Sequence, residues 1–273
     1  GGQIRPFPNS AGLFGVDQQN DRVEVWGKVG REGLFGKPYI EMGNMLSASW
    51  HRTRSVFGEN AYNATQRSLY WQSLYQTIIG TTDHKIVVAP SVQYDDIDEK
   101  VNEGDLSRTE LVPGAMVEYT FSRPNLKLEI PDLVVVLGGR VDWNSRFGWL
   151  VTPRLSAKYN FSVESIVRVS AGRGYRSPNL IAENISVLAS NRPLHFADDL
   201  GYESAWNYGV NFTQTFQVAS REASISLDAY RTDFDRQILV DVDQSPTDVF
   251  FYQVNGKSFS NSFLATLQYN PLP

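Results

Sequence analysis

The sequence predicts an all-β chain, an antiparallel up-and-down transmembrane β-barrel, and three observations carry the prediction. From Trp206 to Val218 the apolar residues Trp206, Tyr208, Val210, Phe212, Phe216 and Val218 take even positions, while Asn207, Gly209, Asn211, Thr213, Thr215 and Gln217 take odd ones. Successive strand side chains point to opposite faces, so this segment has one apolar and one polar face. The pattern recurs from Trp149 to Phe161 with aromatic residues at both ends of the apolar face, as expected of a strand that crosses a bilayer between two aromatic girdles. Finally, the connectors alternate in kind, short turns with longer polar links, as in a barrel with short turns at one end and loops at the other.

Period-two segments place about eleven strands near 22–32, 38–57, 64–79, 84–95, 109–122, 126–143, 148–160, 163–175, 202–218, 222–240 and 251–269. In the fourth, Ile86, Val88, Pro90, Val92 and Tyr94 oppose Lys85, Ser91 and Gln93. In the fifth, Leu111, Pro113, Ala115, Val117, Tyr119 and Phe121 oppose Glu110, Gly114, Glu118 and Thr120. The sixth sets Leu133, Val135, Leu137, Val141 and Trp143 against Gly138, Arg140 and Asp142, although Val134 and Val136 interrupt its polar face. The last sets Phe259, Phe263, Ala265, Leu267 and Tyr269 against Ser260, Ser262, Thr266 and Gln268. Charged residues on the polar faces (Glu118, Arg140, Arg154, Lys158, Arg168) would be costly in a dry core and are accommodated in a wet lumen. A soluble β-sandwich or propeller is the alternative, but no repeat of about 40–50 residues is visible.

Short turns are expected at Gly33–Lys37, Gly80–Asp83, Arg123–Asn125, Phe161–Ser162 and Ala219–Arg221. Long polar links are expected at Asp96–Arg108, Arg176–Gly201 and Asp241–Phe250. The parity places the short turns in the periplasm and the long links outside the cell.

Composition bounds the class. The 273 residues are 41% hydrophobic and 12% aromatic with a formal charge of -5, which fits neither a disordered chain nor a nucleic-acid-binding surface. There is no apolar run of about 18 residues, but barrel strands are too short and mixed to produce one. The absence of cysteine removes disulfides, thiolate metal sites and cysteine nucleophiles together. No Gly-x-Ser-x-Gly elbow, phosphate-cradling glycine loop or His-Glu-x-x-His is present, so no enzyme is expected.

The run Gly172-Arg173-Gly174-Tyr175-Arg176-Ser177-Pro178-Asn179-Leu180 resembles the aromatic–basic–small–Pro–X–Leu signature of TonB-dependent outer-membrane receptors, at which a strand leaves the membrane for an extracellular loop. Asp199-Leu200-Gly201-Tyr202-Glu203-Ser204-Ala205-Trp206-Asn207-Tyr208-Gly209 is similar to the family's strand that opens Leu-Lys-Pro-Glu and continues Ser-x-Asn-x-Glu. Here Gly201-Tyr202 replaces Lys-Pro, Ala205 replaces Ser and Gly209 replaces Glu. The segments Glu110–Ala115, Gly138–Asp142, Thr152–Leu155, Ser226–Asp233 and Asn255–Phe259 resemble neighbouring strands of the same barrel, in the expected order.

The resemblance implies a barrel of about twenty-two strands, an N-terminal plug domain and a TonB box. The chain is therefore expected to be an internal barrel fragment, with the plug and terminal strands elsewhere. It further implies residence in the outer membrane of a Gram-negative bacterium, contact with lipid and lipopolysaccharide, and import of a scarce ligand (siderophore, corrinoid, haem or similar) powered through TonB. No nucleic acid is expected as a partner. The alternative is a passive porin or adhesin barrel with no energised partner.

Site expectations follow. Arg173, Tyr175 and Arg176 stand at the rim, where guanidinium groups suit an anionic ligand; alternatively Arg176 pairs with a plug or loop carboxylate and Tyr175 anchors the interface. His195, in the long loop, is the one histidine placed to meet an external ligand, whereas His51 and His84 are scattered. Gly172 and Gly174 permit a bend or the close approach of a plug. No cofactor is expected beyond a candidate Ca²⁺ site at Asp95, Asp96, Asp98 and Asp105, with Glu99 and Glu103 nearby, in a loop rich in oxygen ligands.

Overall fold

The computed structural model describes residues 15–102, 104–125, 130–254 and 256–269. Eleven long strands form one antiparallel sheet: β1 (Val16–Glu32), β2 (Glu41–Phe57), β3 (Asn60–Ile79), β4 (Thr81–Val101), β6 (Arg108–Arg123), β7 (Leu133–Asn144), β8 (Gly148–Asn160), β9 (Ser165–Arg176), β11 (Glu203–Val218), β12 (Arg221–Arg236) and β15 (Ser258–Tyr269). Each long strand pairs with the next in sequence, and the two-residue β5 (Gly104–Asp105) pairs with β4. This is the up-and-down order expected of the barrel, with β1 and β15 as the two ends of the described sheet.

Alternation survives in three dimensions. Leu155, Val169, Val210, Leu227 and Phe263 point outward and are exposed. On the opposite face Asn211 bonds Ser226 and Asp228, and accepts from Arg168. Trp143, Trp149, Tyr94 and Tyr208 stand outward toward one end of the sheet, with Tyr159, Phe161 and Tyr269 toward the other. Side chains two strands apart also meet on the polar face: Arg140 of β7 bonds Ser91 of β4 at 2.7 Å. Strands so placed lie roughly 10 Å apart in a sheet, a span that an extended arginine side chain bridges.

Three boundaries differ from the sequence expectation. The acidic run is not a loop, because β4 continues to Val101 and carries Asp95 to Glu99 with it. The expected strands 222–240 and 251–269 each divide. Ile238–Asp241 (β13) and Val249–Gln253 (β14) leave the barrel and, with Leu194–Phe196 (β10), form a separate three-stranded sheet in which β10 runs parallel to β14. Their alternation is real, but parity cannot say which sheet a strand joins. Connector lengths also mix: β2 and β3 join tightly through Gly58, in the left-handed region at φ 61, at the end that carries the long loops, while 33–40 lengthens the other end. Residues 126–129, Glu103 and Asn255 lie outside the described residues.

Candidate ligand-capture site at the loop end

The link between β9 and β11 and the link between β12 and β15 fold together as a cap. Leu180–Glu183 makes one α-helical turn (α1), Ile185–Ser190 continues as a 3₁₀ turn, and β10, β13 and β14 follow. Ile181, Val187, Leu188, Val249 and Phe251 form one apolar cluster with Phe57, Tyr62 and Val101 at the tops of β2, β3 and β4. In sheet order β9 lies five places from β3, roughly 24 Å along the sheet. The cap therefore spans the mouth from one wall to another, a cross-link that local sequence pattern does not encode.

Polar contacts fix the same bridge. Asn60 Nδ2 donates to Leu188 O at 2.7 Å, and Asn102 Nδ2 donates to Asn60 Oδ1 at 2.8 Å. Ser177 Oγ donates to Glu110 Oε1 at 2.6 Å, and Arg108 bonds the Asn179 side chain. Arg108 itself lies between Glu99 at 2.7 Å and Glu110 at 3.6 Å, with all three side chains almost fully buried. Tyr62 Oη donates to Glu99 at 3.0 Å. Buried charges of this kind are costly without partners; here each carboxylate is held by a guanidinium and neutral donors, which makes the loop's seat specific.

Below the cap, Asp142 is the hub of a second network. Arg140 reaches its two oxygens at 2.6 and 2.8 Å, and Tyr175 Oη donates to it at 3.1 Å. The ladder between β8 and β9 stops at Arg154↔Gly172, while β9 continues along β11 to Arg176. Tyr175, which shares the parity of outward-facing Val169, turns at this parting to reach the inward carboxylate. A Cβ on Gly172 would stand 3.3 Å from Pro153 O, so glycine allows the two strand backbones to approach closely there.

The site residues expected from the sequence are not gathered round one cavity. Arg176 pairs with Glu203 at 2.6 Å and Glu183 at 2.8 Å, clamping both ends of its own loop. Arg173 pairs with Asp235 at 3.0 Å. His195 Nε2 contacts Asp248 at 2.8 Å and its ring stacks on Phe250. The Thr247 hydroxyl, His195 and the Ser245 hydroxyl hold the Asp248 carboxyl down at about 2. His84 meets Tyr119 far from the cap.

The acidic run is likewise dispersed by strand alternation. Asp95 is turned inward to Ser68, Gln66 and Gln93, and Asp96 pairs with Arg67 at 2.8 Å. Asp98 and Asp105 accept from Ser107. No group of three or more His, Asp or Glu that could hold a metal ion occurs among the described residues. The residues expected in a Ca²⁺ loop thus lie on or beside β4, with Asp95 and Asp96 held by different partners and Asp98 and Asp105 sharing Ser107.

What sequence reading passed over is an aromatic and cationic cluster at the mouth. Tyr202 meets Phe147 at 5.4 Å and Tyr175 at 6.4 Å between ring centres, with the Arg236 guanidinium 4.7 Å above its ring. Arg146 stands 4.9 Å over Phe147 while bonding Glu110. These residues come from the β7–β8 turn, the end of β9, the start of β11 and the end of β12, so the pairing of neighbouring strands brings them together.

Comparison with solved structures finds the same fold in several receptors. The siderophore receptor PirA of Pseudomonas aeruginosa matches with a TM-score of 0.58 at 14% identity, over 92% of this chain and 47% of that one. A mutant of the ferric enterobactin receptor PfeA of Pseudomonas aeruginosa matches at 0.65 and 14% identity, over 93% and 42%. The hemophore receptor HasR of Serratia marcescens, in complex with its hemophore HasA and heme, matches at 0.65 and 10%, over 93% and 46%. The chain thus spans less than half the length of these receptors. A comparison with curated proteins found no match. The model for the TonB dependent receptor-like β-barrel matches residues 6–270, nearly the whole chain and every strand of the sheet, and the chain belongs to that family.

Proposed function

We propose that this chain is the barrel part of an outer-membrane receptor that captures a scarce ligand outside the cell and imports it with energy delivered through TonB. The observation that carries the reading is the folded cap. Its apolar cluster and its Asn60 and Arg108 tethers hold two loops as a rigid surface over a wet inner face. Loops on a rigid scaffold are where binding residues concentrate. The siderophore and hemophore receptors that share the fold support a siderophore, haem or similar cargo. In this reading the cap end faces outward, the remaining strands and a plug lie in the rest of the receptor, and Tyr202 and Arg236 with His195 present the capture surface. Arg173, Tyr175 and Arg176 support it from beneath.

The test is uptake by cells carrying the full-length receptor, measured with a panel of ferric siderophores and haem. Binding at the surface should persist when TonB is removed, while uptake is abolished. Undiminished uptake without TonB replaces this reading with the passive porin.

A further inference from the structure

On the inner face, away from the cap, Lys158 of β8 and Arg168 of β9 are direct register partners. Like charges opposed across two strands destabilise a sheet, and neither side chain has a carboxylate partner among the described residues. Arg168 donates only to neutral acceptors, Asn211 Oδ1 at 2.9 Å and Thr213 Oγ1 at 3.4 Å. The nearby acid, Asp228, is already served by Asn211, Ser226 and Tyr230, so Asn211 stands between it and Arg168.

Beside the two cations lies a recess of about 350 Å³ with Val134, Val136 and the Tyr230 ring among its walls. The Tyr230 ring can form this wall because position 209 is glycine. A Cβ there would stand 2.5 Å from Tyr230 Cε1 and 2.8 Å from Ser170 Oγ. Val134 and Val136, which break the polar alternation of β7, become intelligible as part of that wall.

We infer that this recess is a binding site for a carboxylate carried on an apolar body, with Lys158 and Arg168 holding the carboxylate and Val134, Val136 and Tyr230 receiving the apolar part. Two bonds already orient the Arg168 guanidinium, which leaves its remaining donors for a two-oxygen acceptor. The carboxylate can come from a small molecule in the lumen or from a side chain elsewhere in the receptor. The inference uses the inward position of the face and not energy coupling, so it stands or falls separately from the TonB reading.

The test uses the full-length receptor in detergent carrying Ser156→Cys, in the recess wall. Labelling of that residue by N-ethylmaleimide is followed by mass spectrometry, and folding is checked by heat-shifted gel migration. With a free site, 4-phenylbutyrate slows labelling several-fold and neutral 4-phenylbutanol does not. Lys158→Gln with Arg168→Gln removes the protection, while Arg168→Lys retains it. If a receptor carboxylate occupies the site, labelling is slow without any probe and accelerates several-fold in the Lys158→Glu, Arg168→Glu variant. Fast labelling that responds neither to 4-phenylbutyrate nor to charge reversal overturns the inference.

Discussion

Asp142 lies over its register partner Gly114, so that a Cβ on Gly114 would collide with the Asp142 carboxylate. Absence of one side chain thus creates the room in which a buried acid meets Arg140 and Tyr175. Gly114→Ala should destabilise the receptor by about 1–3 kcal/mol through overpacking. In a double-mutant cycle with Asp142→Ala the two losses should be strongly non-additive, since removing the carboxylate relieves the collision. Urea unfolding in lipid vesicles checks both; simple additivity would mean that the two residues do not compete for space.

The cap should loosen as one unit. Leu188 is 2% exposed in the cluster that joins the cap to β3 and β4. Leu188→Ala should cost about 2–5 kcal/mol of local stability. Hydrogen exchange should then rise together over 180–190 and over β14, while β7 and β8 are unchanged. A rise confined to 180–190 would show that the two loops are not coupled.

Acid should act on the same cap through Asp248. Its carboxyl is held at about 2 against an ordinary value of 3.8, first by the Thr247 hydroxyl and then by His195 and Ser245. A depressed folded value means that the contribution is complete above about pH 4 and is lost as the pH falls toward 2. Exchange protection of β10 and β14 should fall across that window and become flatter in Asp248→Asn. An unchanged acid profile in Asp248→Asn would remove this carboxylate as the cause.

The two faces of β15 should differ sharply. Phe263 is outward and 81% exposed on the described sheet, whereas Ser262 pairs with Tyr230 on the polar face. Phe263→Arg should cost up to about 2–4 kcal/mol in lipid, depending on depth, and Ser262→Arg much less. Vesicle refolding measures the difference, and equal costs would contradict the lipid-facing assignment.

The barrel strands were legible because alternation is a local property: each long strand writes its two faces into neighbouring residues, as Trp206 to Val218 does. The cap was not, because Ile238, Val240 and Phe251 alternate like barrel residues while pairing in a different sheet. The acidic run misled for a related reason. Asp95 to Glu99 reads as a solvated loop, yet Arg67, Ser68, Ser107 and Arg108 arrive from other segments to pair with it and let β4 run on. Arg176 was half legible, since the loop carboxylate envisaged for it proves to be two, Glu183 and Glu203. Tyr202 and Arg236 carried no signal, being separated by a hairpin and joined only by strand pairing.

That last pair yields the sharpest functional prediction. Arg236 stacks on Tyr202 and, unlike Arg173 and Arg176, has no carboxylate partner among the described residues. A stacked guanidinium keeps its donors free for a two-oxygen acceptor, and such contacts contribute on the order of 1–2 kcal/mol, or about tenfold in affinity. Arg236→Ala should therefore weaken surface binding of an anionic ferric siderophore about tenfold, with urea stability unchanged. Arg236→Lys should recover part of the loss, because it restores charge without the planar fork. Binding should also weaken with added salt in the parent receptor and less so in Arg236→Ala. Radiolabelled ligand on intact cells gives all three values. Full affinity in Arg236→Ala would move the capture surface away from Tyr202 and toward His195.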